Sequence, residues 1–578
     1  MNKIQLPTTN WKLSKSDTKT QMLFVKELGI NPIVSQIMTC RNILSLDEAK
    51  RYLNPSLKDL YNPFTMRDMQ LAVSRVTRAI LNREKTVIYG DYDADGITSV
   101  VVLLKFLKDI NQLTSYYIPD RAKEGYGLNK NAIDRMKDNN VSLVITVDCG
   151  ISDYDEVNYA KSLGIDIVIL DHHEVPQVIP DAIAVINPKR KDCPYPYKNL
   201  AAVGIAFNFL IALRGNLRES GFWKNQRYPN LKEYLDLVAL GTIGDISPLT
   251  DQNRIYAKIG LDLITESKRI GIIALKEVCG IFNQVTDSSM ASFSLIPRIN
   301  AAGRVATSDE AIELLMSDDI NKAREIAQNL DFYNRKRQQI EKNILREILD
   351  QIDENFEPQR TGSLVFASDK WHPGVIGIVA SRLVDRYYRP AMLISLKDGI
   401  GKGSGRSIAE FNIFQGLQKC DDLLISYGGH QYAAGISIKE KDIEKFRELL
   451  EKIVHEDSNI GKVVSQTTIE AQCKLSDINH ELLSQLGMLT PFGSANPEPM
   501  LCVRNVNISD PCIVGNNHLK MRVNADGASY SSIWFSKGHF LHSLIGSCLD
   551  IVFTPQMNHW NGISDIQLKM KDIAIQNS

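Results

Sequence analysis

A chain of 578 residues is far longer than one hydrophobic core normally supports, so about three or four domains are expected. Lys and Arg number 67 against 68 Asp and Glu, a formal net charge of -1, which excludes a uniformly basic protein; any surface for a polyanion must be local. The nine cysteines, at positions 40, 149, 193, 279, 420, 473, 502, 512 and 548, include no CxxC pair, which argues against a zinc ribbon or disulfide framework and for free thiols in a reducing compartment.

The opening MNKIQLPTTNWKLSKSD lacks an apolar core flanked by positive charge, so no signal peptide is expected. No apolar run approaches the roughly 20 residues that span a bilayer, and a cytoplasmic monomer is the default expectation. Residues 1 to about 70 read as helical, without visible chemistry. From about residue 85, short apolar runs end at polar or acidic residues: TVIYGDYDADG, SLVITVDCG, DIVILDHHE and AVINP. Runs of four to six such residues suit strands covered on both faces, and their spacing leaves room for crossover helices. A doubly wound parallel sheet follows, whose ligands bind outside the carboxyl ends of its strands.

After Pro248 the chain reads as helical. Between about Ser308 and Glu354, Ile312, Leu315, Ile326, Leu330, Ile340, Ile344 and Ile348 fall at helical spacing without Gly or Pro, predicting one or two long connecting helices. The cationic stretch NRKRQQIEKN within it suits a solvated face or a phosphate backbone. A second α/β unit is expected over about 360 to 456, and beyond 464 short strands between turn signals suit a small β-barrel.

Asp91, Asp93 and Asp95 alternate directly after a strand, Asp148 follows the next, and Asp171, His172 and His173 follow a third. Asp245, after the apolar run DLVALGTI, is grouped with these strand ends. Each cluster alone fits a solvated turn or a cap. Four delivered to one crevice point to a metal site, because closely spaced carboxylates repel one another unless cations or protons neutralise them. Oxygen ligands with a few imidazoles suit Mn²⁺ or Mg²⁺, and two such ions would stabilise both oxygens of an in-line phosphoryl displacement. No GxSxG elbow, P-loop or kinase set competes with that chemistry.

DYDADG, VDCG, DHH and Gly244-Asp245 resemble the motifs of the DHH phosphoesterase superfamily. WHPGVIGIVASRL, GSGRS, GGHQYAAG, PRINAAGR and TPFGSANPEP are similar to segments of the RecJ exonucleases, in the same order. The resemblance implies metal ligation by Asp93, Asp95, Asp148, His172 and Asp245, with Asp148 bridging two Mn²⁺ or Mg²⁺ ions. Tyr89 stands where many relatives carry a histidine ligand, with Asp91 as its substitute, and His173 is placed near the scissile phosphate. The expected architecture is α/β multidomain: an N-terminal helical region (1–70), a doubly wound DHH catalytic domain (71–305), a connecting helix (306–355), a second α/β, DHH-associated domain (356–458) and an OB-like β-barrel (462–578).

GSGRS joins approachable backbone N–H groups to a hydroxyl and a guanidinium, a clamp for a terminal phosphate, so Ser404 and Arg406 are the first substrate-binding candidates. Arg298, Arg304 and Arg121 follow, with salt bridges as the alternative for each. His430, and less so His372, could meet substrate or be structural. Trp534 and Trp560 could stack on bases or fill the barrel core. The implied activity is 5′-to-3′ hydrolysis of single-stranded DNA to mononucleotides in recombination and repair, with a helicase and a single-strand-binding protein as partners. The alternative is a small-substrate DHH phosphodiesterase acting on oligoribonucleotides or cyclic dinucleotides.

Overall fold

The computed structural model describes residues 10–110, 112–121, 124–224, 227–355, 361–457, 466–544, 548–560 and 563–575. The first nine residues of the segment read as lacking a signal peptide, and the Trp560 side chain, lie outside the described residues. The chain forms two compact units. One comprises Met1–Leu60, Pro248–Lys258 and Val464–Ser578; the larger comprises Tyr61–Ser247 and Ile259–Val463. Among the described residues no helix is long and apolar enough to cross a membrane.

The larger unit contains two sheets. The first is built from β1 (Thr86–Tyr89), β2 (Thr114–Tyr117), β3 (Leu143–Val147), β4 (Asp166–Leu170) and β5 (Ala184–Ile186), in the order β2-β1-β3-β4-β5 and parallel throughout. Every residue of β1, β3 and β5 is buried, as unbroken apolar runs in a covered parallel sheet require. The strand order reverses between β1 and β3, and such a switch point opens a crevice at the carboxyl ends of those two strands.

Helix α1 (Ala94–Asp109) leaves the end of β1 and is buried along almost all its length, packing on α2 (Ala202–Glu219) and α3 (Leu235–Gly244). The mainly helical stretch expected after Pro248 thus begins earlier, with these two helices. Helix α3 corrects the reading of DLVALGTI as a strand end. Leu235 to Ile243 is buried on all sides, so α3 carries no polar stripe to betray a helical period.

Helix α4 (Ile296–Val305) carries PRINAAGR, and α5 (Ile320–Asn355) is one uninterrupted helix of 36 residues. The C-terminal half of α5 shares a core with α6 (Ile376–Tyr387), through Ile344, Ile348 and Ile352 against Val379 and Leu383. The second sheet comprises β6 (Leu364–Ser368), β7 (Ala391–Lys397), β8 (Ile400–Arg406), β9 (Leu424–Gly429) and β10 (Ala433–Lys439), ordered β9-β10-β8-β7-β6. Only β6 and β7 run parallel.

In the smaller unit β11 (Ala471–Gln472) lies beside β12 (Leu501–Val514), which continues through β13 (His518–Ala525), β14 (Ala528–Trp534), β16 (Ile563–Ile575) and β15 (Leu549–Trp560). β15 pairs back onto β12, closing a five-stranded barrel. The register of β12 shifts between Ser509 and Cys512 and again between Val503 and Val506, the kind of irregularity that bends one strand across both neighbours. Phe24, Val34 and Ile37 from the N-terminal helices share the core of barrel residues Leu501, Leu519 and Phe553. Trp534 belongs to that core, 3% exposed and stacked on Phe540 at 5.5 Å between centroids, so it offers no face to a base.

Candidate active site

The first acidic cluster is fixed by helix capping. Asp93 is the N-cap of α1, its carboxylate accepting from the amides of Asp95 (2.9 Å) and Gly96 (3.1 Å). Asp95 sits in the first turn, 1% exposed, and accepts from Ala202 N (2.7 Å) and Val203 N (2.9 Å) at the start of α2. One carboxylate thus serves the N-termini of two helices, where the positive end of the dipole favours it. The amide of Ala94 donates to Asn300 Oδ1 at 2.7 Å, so α4 is tied to the same turn.

Asp148 ends β3 in the left-handed region (φ 61°), a sparsely populated conformation that Asp tolerates better than most residues. It is 3% exposed, and its Oδ1 lies 3.1 Å from His172 Nε2. His172 also approaches Asp95 Oδ2 (3.9 Å) and, through Nδ1, Asp245 Oδ2 (3.7 Å). Asp245 is the C-cap of α3, and the Ser247 hydroxyl donates to it at 2.6 Å. Six residues from four segments therefore form a nest: Asp91, Asp93 and Asp148 bring carboxylate oxygens within 4.8 Å of one another, and Asp95 and Asp245 do likewise with a ring nitrogen of His172.

Asp171 has a different place. It is fully buried and accepts from the amides of His172 (2.7 Å), His173 (3.1 Å) and Ile151 (3.0 Å), so it shapes the turn from which both imidazoles project. Its Oδ1 is 2.7 Å from His173 Nδ1. Burial alone would raise its pKa, but the bond to His173 and the nearby imidazoles hold it at about 2. Burial likewise works against the His173 cation, yet Asp171 outweighs it and pushes His173 up to about 9. His172 is pushed down by burial despite the pull of Asp245.

The nest itself is electrostatically unbalanced. Burial, followed by repulsion from Asp93, raises Asp91 to about 8, and Asp91 Oδ1 is buried without a hydrogen-bond partner among the described residues. Asp95 and Asp148 are raised well above the carboxylate range by burial and by their acidic neighbours. Carboxylates gathered at such cost to their charged forms fit cations, and oxygen donors with a few imidazoles fit Mn²⁺ or Mg²⁺.

A cluster of opposite sign stands beside it. Arg121 lies over the ring of Tyr92, 4.8 Å from its centroid, within the turn that carries Asp91 and Asp93. Arg304, on α4, donates to Gly374 O at 3.1 Å, and burial together with Arg121, Arg337 and Arg406 pushes it down to about 10. Arg406 reaches Ser404 Oγ at 3.3 Å, and burial and Arg121 lower it too.

The local reason lies in β8, whose side chains alternate between faces. A Cβ on Gly401, Gly403 or Gly405 would meet Ile394, Ile436 or Met392 at 2.5–2.6 Å, so glycine lets the core close on one face while Ser404 and Arg406 occupy the other. Gly377 completes the approach: a Cβ there would lie 2.7 Å from Ser404 Oγ, so the start of α6 comes close to that face.

Two sequence candidates fall outside this arrangement. Arg298 is engaged elsewhere, its Nη2 2.7 Å from Asp331 Oδ1 and its Nη1 2.6 Å from Ser294 O, and Trp534 is core. His372 stands at the edge of the guanidinium cluster: it accepts the amide of Gly374 at 3.1 Å, the residue whose carbonyl takes Arg304, and burial with Arg121 lowers its pKa. His430 does reach the site, its ring nearly parallel to His173 with centroids 6.2 Å apart. Two further residues enter that the sequence reading did not single out. Tyr126 donates to Asp148 O at 2.8 Å and stands 3.2 Å from His173 Nδ1; its only signal was the turn-like EGYG. Arg337 was hidden in the cationic run of α5.

The chain matches three family models: the DHH family N-terminal domain over residues 85–242, the DHHA1 domain over 361–456 and the RecJ OB domain over 469–572. It is 37% identical over 570 residues to the single-stranded-DNA-specific exonuclease RecJ of Bacillus subtilis (strain 168), covering 98% of this chain and 71% of that protein. The crystal structure of RecJ from Thermus thermophilus in complex with Mn²⁺ superposes with a TM-score of 0.84 at 26% identity, covering 99% of this chain and 80% of that one. The same protein with Mg²⁺ gives 0.78 at 25% identity, covering 99% and 79%. With a doubly wound DHH sheet, a second α/β sheet and a closed OB barrel in family order, and a relative this similar along nearly its whole length, the chain belongs to the RecJ family.

Proposed function

We propose that this chain is a metal-dependent exonuclease that hydrolyses single-stranded DNA from its 5′ end to mononucleotides, in recombination and repair. The observation that carries the reading is a carboxylate nest beside a guanidinium cluster in one unit, each only partly offset by the other: cations would complete the first and a terminal phosphate the second. Asp93, Asp95, Asp148, His172 and Asp245 would hold two Mn²⁺ or Mg²⁺ ions, Asp148 between them and Asp91 beside them. When bound, the ions supply Lewis-acid stabilisation of the phosphoryl oxygens and a nucleophile at neutral pH.

The remaining steps fall to the chain's own groups. Asp171 occupies His173 Nδ1 and keeps that ring protonated, which leaves Nε2 to offer a charged hydrogen bond, or a proton, to an oxygen of the scissile phosphate. His430, against the ring of His173, bounds the same space. Arg121, Arg304, Arg406 and Ser404 would hold the 5′-terminal phosphate, guanidinium groups matching phosphate oxygens in a fixed fork. Holding the end of the strand beside the nest sets which bond is cut, a positioning effect. In this reading residues 71–305 provide the metal site, 356–458 complete the clamp, and the barrel of 462–578 is a binding module for single strands. Cooperation with a helicase and a single-strand-binding protein is carried from the family resemblance, and a cytoplasmic location and a monomeric state are the default expectations of the sequence.

Oligonucleotides labelled at either end, single- and double-stranded, incubated with Mn²⁺ and either the protein or its Asp148→Ala variant, test the reading. Immediate release of a labelled mononucleotide from the 5′ end of single strands, absent with the variant, is the expected result. Inert DNA with turnover of oligoribonucleotides or cyclic dinucleotides would move the chain to the small-substrate branch.

A further inference from the structure

Among the guanidinium groups that act on Arg304, Arg337 is the one with a carboxylate hydrogen-bonded to it. It lies on α5, where Asn334, Arg337 and Glu341 recur at helical spacing and share one face. Its Nη1 donates to Glu341 Oε2 and its Nη2 to Asn334 Oδ1, both at 2.8 Å. Its Nε is buried without a hydrogen-bond partner among the described residues. Glu341 is 1% exposed and Asn334 3% exposed, so the groups that grip Arg337 are themselves fixed in the core. The second oxygen of Glu341 forms an ion pair with Arg382 Nε on α6, a side chain 56% exposed, and has no hydrogen-bond partner among the described residues. That helix begins beside Ser404 and Arg406, where Gly377 admits them. One buried carboxylate therefore spans α5 and α6, the two helices bordering the guanidinium cluster.

A buried carboxylate between two arginines is costly to desolvate, and such pairs contribute less to net stability than to fixing one arrangement. Here the arrangement matters because Arg337 stands among like charges. Arg304 and Arg382 repel it, and an arginine side chain has ample rotamer freedom with which to swing away. We infer that Glu341 is a positioning residue for the phosphate clamp: it holds Arg337 beside Arg304 through a direct hydrogen bond, and through Arg382 it ties α6, whose start lies against Ser404 and Arg406, to α5. This inference rests on the clamp reading above and adds to it a residue that touches neither phosphate nor metal. The clamp then has four guanidinium groups, one of them held by an anion it keeps whether or not substrate is bound.

Steady-state kinetics of Glu341→Gln and Arg337→Gln on single strands carrying a 5′-phosphate or a 5′-hydroxyl test it. The expected result for Glu341→Gln is a rise in KM of about tenfold on the phosphorylated strand, falling on KM rather than kcat, with a much smaller change on the hydroxyl strand. Arg337→Gln should give the same split, and the double variant no further loss, because residues acting through one another are not additive. Glu341→Asp should recover part of the phosphate preference. Arg337→Gln leaves Glu341 paired with Arg382, so it reports on the clamp even if Glu341→Gln does not fold. An unchanged KM in Arg337→Gln, additive losses in the double variant, or equal losses on both strands would overturn the inference. If Arg406→Ala also leaves the phosphate preference intact, the clamp reading itself has failed; if Arg406→Ala abolishes it while Arg337→Gln does not, only the positioning role has.

Discussion

The molecule contains buried charge of three kinds, and the contrast between them is instructive. In the barrel unit Glu498 lies about 3 Å from both Lys569 and Lys571, an exchange in which each sign finds the other. In the larger unit Asp91, Asp95 and Asp148 crowd one another with Arg121 and His173 offsetting Asp91 only in part, while Arg121, Arg304 and Arg406 crowd one another in turn. A fold satisfies its own charges where they serve structure. Where it leaves one sign in excess on each side of a cleft, the missing charge belongs to what binds there.

The most severe way to break this contrast is to remove the carboxylate at the centre of the nest. Asp148→Ala should lower hydrolysis by at least about a thousandfold in any metal, since losing several kcal/mol of transition-state charge stabilisation costs tenfold for every ~1.4 kcal/mol. A residual rate within tenfold of the parent protein would place the chemistry elsewhere.

Metal itself gives the next largest effect. Mn²⁺ at about a hundred times its dissociation constant should stabilise the folded protein by ~2.7 kcal/mol, read as a rise in Tm. Asp148→Asn should raise Tm in the presence of a chelator, by relieving repulsion, and shrink the gain from Mn²⁺. A variant less stable than the parent without metal would mean that the nest is balanced by contacts of its own.

The two arginines of the clamp question should separate cleanly. Arg406→Ala should raise KM on 5′-phosphorylated strands by roughly ten- to thirtyfold, the worth of a charged hydrogen bond at ~1.5–2 kcal/mol. Arg298→Ala should leave that KM nearly unchanged but lower Tm, because it leaves the buried Asp331 carboxylate with the exposed Arg335 in place of a half-buried partner. Equal KM effects would return Arg298 to the substrate site.

The smallest effect belongs to the balanced pair. Glu498 is disfavoured as an anion by burial, but Lys571 and Lys569 outweigh this and hold its pKa below the usual carboxylate range. Its contribution is present above the unfolded value of about 4.3 and lost as pH falls through the lower folded value. Glu498→Gln should therefore lower Tm by at most a few degrees at pH 7, with the difference fading below about pH 4. A constant difference across that range would mean that packing, not charge, holds the pair.

How much of this was legible depends on what each residue's role needs. Asp91 to Asp95, Asp148 and the DHH triplet announced themselves, because a strand buried on both faces is an apolar run and its end is the first place a carboxylate can stand. Asp245 was found for a partly wrong reason: the run before it is a helix buried all round, whose composition is that of a strand. Arg298 and Arg304 are six residues apart on one helix, about 240° around its axis. No property of either told which would face Asp331 and which the cluster. Trp534 illustrates the same limit in the barrel, since an aromatic that stacks on a base and one that fills a core read alike.

Local rules, which act through the chain's own neighbours, are what the sequence by itself determined here: parallel strands, capped helix starts, alternating glycines in β8 and the chemical type of the site. Everything that depends on which faces meet was decided by tertiary structure. Tyr126 reached His173, Glu341 came to bridge two helices, and four arginines from four segments became one cluster. Contacts of that kind are made between segments far apart in the chain, whose relative rotation is set by the packing of the whole core and by no single stretch of residues.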